Sequence, residues 1–142
     1  MTAVVLLTEL EARWPIEIDR TFGCALWTGA RDKRDGRALQ WRGGKPAQAQ
    51  RLVYEAEVEP VGVDEHDVPR ELDHMCRRSH CVAPHHAEPV TRSENERRKS
   101  PHYRWKRLRC PLGHDLSLHG TITPEGGRVC RTCNRQALGE TR

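Results

Sequence analysis

Apolar residues crowd the start of the chain. Val4, Val5, Leu6, Leu7, Leu10 and Trp14 recur at spacings that put them on one helical face, with Thr2 as a cap and Pro15 as a stop. This spacing predicts a helix over 2–14, and 16–21 reads as a linker with some strand character. Residues 23–28 read as a strand with Trp27 turned to the core, and 38–42 as a short strand carrying Trp41. Gly43-Gly44 then signals a turn, so a β-ribbon is expected there. Ala49, Leu52, Val53 and Ala56 fall on one side of a helix predicted over 47–58. Leu72 to Met75 is strand-like, Pro84 breaks the loop, and 87–90 can return as a second strand. Thr91 with Glu94 three residues on is a capping box, so a helix should run over 92–99 with Asn95 on its first turn, facing the hairpin.

The elements amount to a small α+β fold whose core must be modest, because 36% of its 142 residues are hydrophobic and 31% charged. External staples are expected, and six cysteines can supply them as disulfides or as zinc ligands. The apolar run from Ala3 to Leu7 is too short for a signal segment and lacks a basic start. No stretch approaches the ~20 apolar residues of a membrane span. A reducing cytoplasm is therefore the expectation, and there cysteines at these spacings hold metal. The organisation expected is one domain over 1–99 and a basic segment with a small zinc-binding lobe over 100–142.

Candidate chemistry concentrates between Leu72 and Asn95. Cys76, Cys81 and His86 offer three soft ligands, and Cys24 is the cysteine left to serve as the fourth, although it reads equally as a plain core thiol. Downstream, Cys110-x3-His114 and Cys130-x2-Cys133, fifteen residues apart, form two close pairs with zinc-ribbon spacing, for which disulfides are the alternative. Asp73 and Asn95 differ in kind: a carboxylate and an amide oxygen suit magnesium or manganese. His74 is spare once both tetrahedra are filled, and neutral imidazole can take a proton from water; a further zinc ligand or a surface imidazole is the blander reading.

Charge is laid out in blocks. Residues 31–45 carry six basic and two acidic side chains and 92–109 eight and two, whereas 51–73 carries two basic and eight acidic. Such separation makes local fields that the net charge of +4 hides. Arg37, Arg42 and Lys45 at the edges of the β-ribbon, and Arg104, Lys106 and Arg107 in a segment interleaved with Tyr103 and Trp105, are candidate contacts to DNA. Solubilising edge charges would look the same. Arg51 can reach a phosphate or pair with Glu55 four residues on.

Asp73-His74-x-Cys76-x4-Cys81-x2-Pro84-x-His86, followed by Glu94-Asn95, resembles the HNH endonucleases of phage type and the His-Cys box homing endonucleases, the His-Me finger nucleases. Gly23 to Ala30 and Arg51-Leu52-Val53-Tyr54-Glu55 look like family segments in the right order. Ala83 stands where family members usually carry Asn, and Ala87 where they carry Leu. The resemblance implies a zinc-stapled ββα-metal fold and hydrolysis of a DNA phosphodiester. In it His74 takes a proton from water and one Mg²⁺ or Mn²⁺ held by Asp73 and Asn95 stabilises the leaving 3′ oxygen; Arg42 and Arg51 are the candidates for supporting the transition state. It also implies double-stranded DNA as partner and, for a phage-encoded chain, the host cytoplasm.

The expected function is thus a metal-dependent DNA endonuclease, nicking or cutting both strands, with two structural zinc ions. The alternative is a catalytically quiet zinc module that grips DNA, or an adaptor for a phage packaging or replication partner docked on the N-terminal helix.

Overall fold

The computed structural model describes residues 4–100 and 107–140. Helix α1 (Leu7–Arg13) begins after Leu6 without a side-chain cap, so it is shorter than the predicted 2–14. Val4 and Val5 are β-branched and stay outside it; Thr2, the expected cap, lies outside the described residues. Leu7 and Leu10 are 0% exposed, and Val4, Val5 and Trp14 pack against the same core. Thr8, Glu9, Glu11 and Ala12 are left on the outer face, so the apolar side of α1 is occupied within the chain. Glu57 locks its end, accepting from Arg13 Nε and Trp14 Nε1, both at 2.9 Å.

The expected linker after α1 is a strand. Ile16 and Ile18 alternate with Glu17 and Asp19, and β1 (Ile16–Asp19) pairs antiparallel with β2 (Cys24–Trp27). The ribbon β3 (Leu39–Arg42) and β4 (Lys45–Gln48) turns at Gly43-Gly44, both at positive φ, as the sequence predicts. Helix α2 (Ala49–Glu57) follows at once and buries Ala49, Val53 and Tyr54.

The chemically rich stretch forms a hairpin and a helix. β5 (Glu71–His74) pairs with β6 (Ala87–Val90), opposing Asp73 to Glu88 and His74 to Ala87, with a 3-10 turn at Pro84–His86 between them. Thr91 accepts from the Glu94 backbone at 3.1 Å and starts α3 (Arg92–Arg97). The Glu94 carboxylate reaches forward to Arg97 and, at 2.8 Å, to Arg98. The loop between the cysteines docks on β2, where Trp27 and Val82 exchange backbone bonds of 2.9 and 2.8 Å with His80 and Ala25.

The C-terminal lobe has α4 (Leu116–His119), the hairpin β7 (Gly120–Ile122) and β8 (Arg128–Cys130), and α5 (Arg131–Ala137). Although its sequence reads as an appendage, Val129 and Ala137 share the main core with Leu7, Leu10 and Cys24. Thr123 Oγ1 donates to the Cys76 carbonyl at 2.7 Å, and a Cβ at Gly127 would collide with the Cys76 backbone. Two-stranded ribbons are marginal alone in water; here β1–β2 and β7–β8 are joined through this shared core, and β5–β6 packs Leu72 and Ala87 against Tyr54 of α2. No helix among the described residues is long and apolar enough to cross a membrane.

Candidate functional site

Two side-chain clusters gather the ligands that the spacing singled out. Cys24, Cys76, Cys81 and His86 form one, Cys110, His114, Cys130 and Cys133 the other, each with its ligand atoms within 4.8 Å of one another. All six thiols are free, which removes the disulfide alternative. A tetrahedron built on ordinary Zn–S and Zn–N bonds spaces sulfur from sulfur by about 3.8 Å and sulfur from nitrogen by about 3.5 Å. In the second cluster His114 Nδ1 lies 3.3, 3.4 and 3.5 Å from the three sulfurs, and Cys110 Sγ lies 3.8 Å from Cys133 Sγ. In the first, His86 Nδ1 lies 3.5 Å from Cys24 Sγ and 3.8 Å from Cys81 Sγ. Both donor sets therefore fit a metal ion such as zinc, and the Cys24 assignment is a cluster position as well as a core position. Bonding to Cys76 and burial push the Cys24 thiol up, and burial does the same to Cys81.

His86 is oriented by a residue the sequence reading did not single out. Its Nε2 lies 2.7 Å from Asn134 Oδ1, the arrangement in which a metal-ligating imidazole donates its other N–H. The only sequence signal was proximity to Cys133. A second such residue is Arg78, which spans Asp19 and, at 2.9 Å, Glu125, tying β1 to the turn before β8.

His74 belongs to neither cluster. Successive strand residues face opposite ways, so β5 sends Asp73 toward α3 and His74 toward Arg37 and the Cys81 backbone. Burial, with Arg37 adding to it, lowers the imidazole pKa to about 4, so it is neutral at pH 7. Its Nε2 is shielded from solvent and makes no hydrogen bond among the described residues.

The carboxylate and carboxamide have other partners. Asp73, 3% exposed, is held by Arg98 Nη1 at 3.0 Å and Arg77 Nη1 at 3.4 Å. Asn95 Nδ2 donates to Glu71 at 2.7 Å, one step along the same strand face. Asp73 has the chemistry of a hard-cation ligand, but these two side chains do not face one common pocket. Arg98 also donates to Glu88 at 2.6 Å, and Arg107 joins at 2.7 Å. Burial works to raise the Glu88 pKa, and the two arginines overcome it and hold the group below its ordinary value.

The basic side chains divide. Arg37, Arg51, Arg70, Arg92 and Lys99 line a groove with Gln48, Glu71 and Asn95. Arg51 also donates to the Arg70 carbonyl at 3.3 Å and pairs with Glu55 at 3.6 Å, the ion pair its spacing offers. Arg42 and Lys45 stand exposed at the ribbon tip, outside the groove's lining. Arg107 departs from expectation: its side chain is 9% exposed and turned inward to Glu88 and Met75, because a half-buried carboxylate outcompetes solvent for it. Arg104 and Lys106 lie outside the described residues, as do Tyr103 and Trp105. Arg70, Arg92 and Lys99 were not singled out beforehand, since the groove is assembled from segments far apart in sequence.

Comparison of the chain with protein-family models, with curated proteins and with solved structures finds no match.

Proposed function

We propose that the protein is a DNA endonuclease of the His-Me finger type, stapled by two zinc ions. One observation carries this reading: an imidazole outside both thiol clusters, with a buried nitrogen that makes no hydrogen bond among the described residues, on the strand whose Leu72 lines a groove with five cationic side chains. A polyanion is attracted to such a groove by its phosphates. Arg37 connects the two features, lining the groove and acting on the imidazole.

Once the side chains that cover Nε2 move aside to admit water, His74 Nε2 takes a proton from it as the oxygen attacks phosphorus, and the bond to the 3′ oxygen breaks, leaving a 5′ phosphate. Neutral imidazole suits the task because it begins with a lone pair. The backbone of Cys81 holds the ring from the other side, and the Cys76–Cys81 loop is fixed by the first metal cluster. Arg51 and Arg37 supply positive charge at the phosphate. A Mg²⁺ or Mn²⁺ ion would add charge at the departing oxygen; Asp73, which β5 turns away from His74 toward Arg98 and Arg77, and Asn95, which donates to Glu71, are not assigned to it.

The second reading, a DNA-gripping module without cleavage, is favoured by the Asp73–Arg98 ion pair. Incubation of supercoiled plasmid with the protein, Mg²⁺ or EDTA separates the two. Nicking in Mg²⁺ that falls about 10²–10⁴-fold in His74→Ala is expected. Undiminished nicking by His74→Ala excludes the mechanism, and binding without nicking selects the second reading.

A further inference from the structure

A ligand of the first cluster is hydrogen-bonded by a side chain from the helix that carries a ligand of the second. Asn134 follows Cys133 on α5 and is buried, and its Oδ1 lies 2.7 Å from His86 Nε2. His86 turns its other nitrogen to Cys24 and Cys81. An imidazole that gives one nitrogen to a metal carries its proton on the other, and an acceptor there fixes both tautomer and ring plane.

Asn134 has little freedom of its own. A Cβ at Gly23, the residue before ligand Cys24, would come within 2.8 Å of its side chain, and Gly23 has a φ of +69°. Helix α5 is seven residues long, too short to hold itself in water. Cys130 at its N-cap and Cys133 in its first turn both belong to the second cluster, so a metal there fixes the turn that carries Asn134.

We infer that Asn134 is a positioning residue for the first metal site and that, through it, metal in the second cluster tightens metal binding in the first. This rests on the reading that both clusters hold zinc and is independent of nuclease activity. With the second cluster unligated, the first turn of α5 loses its anchor, and the buried His86 N–H loses its acceptor. Coupling of this kind is reciprocal, so metal in the first cluster tightens the second by the same factor.

The test uses the full chain loaded with ¹¹³Cd, whose two resonances are assigned with Cys81→Ser and Cys110→Ser and followed separately as a competing chelator is added. Asn134→Leu is expected to weaken the first site by about 10–100-fold, the usual effect of losing an outer partner of a ligating histidine. Asn134→Asp keeps the acceptor oxygen and should restore affinity to within a few-fold. Cys110→Ser should weaken the first site comparably in the wild-type background and add little in Asn134→Leu. In the zinc-loaded protein, His86 should show a protonated Nε2 that exchanges slowly in wild type and in Asn134→Asp.

First-site affinity within about twofold of wild type in either Asn134→Leu or Cys110→Ser overturns the inference, as does multiplication of the two losses. Should Asn134→Leu not fold, Cys110→Ser alone decides by the same criterion. A wild-type chain that binds fewer than two metal ions overturns the zinc reading and this inference together; two ions bound independently overturn only the inference.

Discussion

Asn134 Oδ1 and His86 Nε2 stand 2.7 Å apart across forty-eight residues of chain, joining the last helix to the turn that closes the β5–β6 hairpin. The contact ties a histidine of one Cys/His cluster to a helix that carries cysteines of the other. A substitution that disturbs neither ligand set can therefore disturb both. Gly23→Ala is such a change: the added Cβ meets Asn134 at 2.8 Å on a backbone whose φ is +69°. It is expected to destabilise the chain by more than ~1 kcal/mol, measured by denaturant unfolding of the metal-loaded protein. Wild-type stability in Gly23→Ala would show that the close approach relaxes freely.

Metal removal tests the staples directly. Elemental analysis is expected to find two zinc ions per chain, and a strong chelator should collapse the thermal transition, since ribbons of this size hold little core alone. Cys81→Ser should lose one ion. A chain that keeps its melting temperature in chelator would mean that the Cys/His clusters are ordinary core.

The groove and the buried arginines should respond differently to the same substitution. Arg92→Ala and Arg51→Ala each remove one groove cation and are expected to lower the salt dependence of DNA binding by about one unit of slope, with the fold intact. Arg107→Ala should leave that slope unchanged and lower the melting temperature instead, because its guanidinium is sealed against Glu88. Binding isotherms at several salt concentrations, with melting curves alongside, distinguish the two.

Glu88 sets an acid limit on stability. Arg107 and Arg98 hold its pKa below the ordinary 4.5. Its contribution is thus present in full above that value and disappears as pH falls through the lower folded-state value. Glu88→Gln should cost about 2 kcal/mol at pH 7, less than a fully buried pair because the carboxylate is partly exposed. The gap to wild type should close in acid. A gap that is constant from pH 7 to pH 3 would mean that the charge of Glu88 is not what holds the arginines.

Core packing of α1 is open to a simpler test. Leu10 is 0% exposed, and Leu10→Ala should cost about 2–5 kcal/mol by unfolding. A cost below 1 kcal/mol would indicate that the helix is peripheral and its apolar face available to a partner.

Local pattern and ligand spacing determined much by themselves: the Gly43-Gly44 ribbon, the helix after Gln48, the hairpin ending at Val90, the Thr91 cap, and all eight members of the two clusters. Each depends on neighbours in sequence or on a ligand type with few alternative uses, so residue identity suffices. Cys24 sits at the edge of this, reachable only by counting thiols. What tertiary structure decided are the long-range pairings. It turned Arg107 inward while leaving Arg92 and Lys99 in the groove, gave Asp73 to Arg98 and Asn95 to Glu71, and set Asn134 against His86. A guanidinium or an amide takes whichever partner folding brings within 3 Å, and one-dimensional order carries no record of that distance.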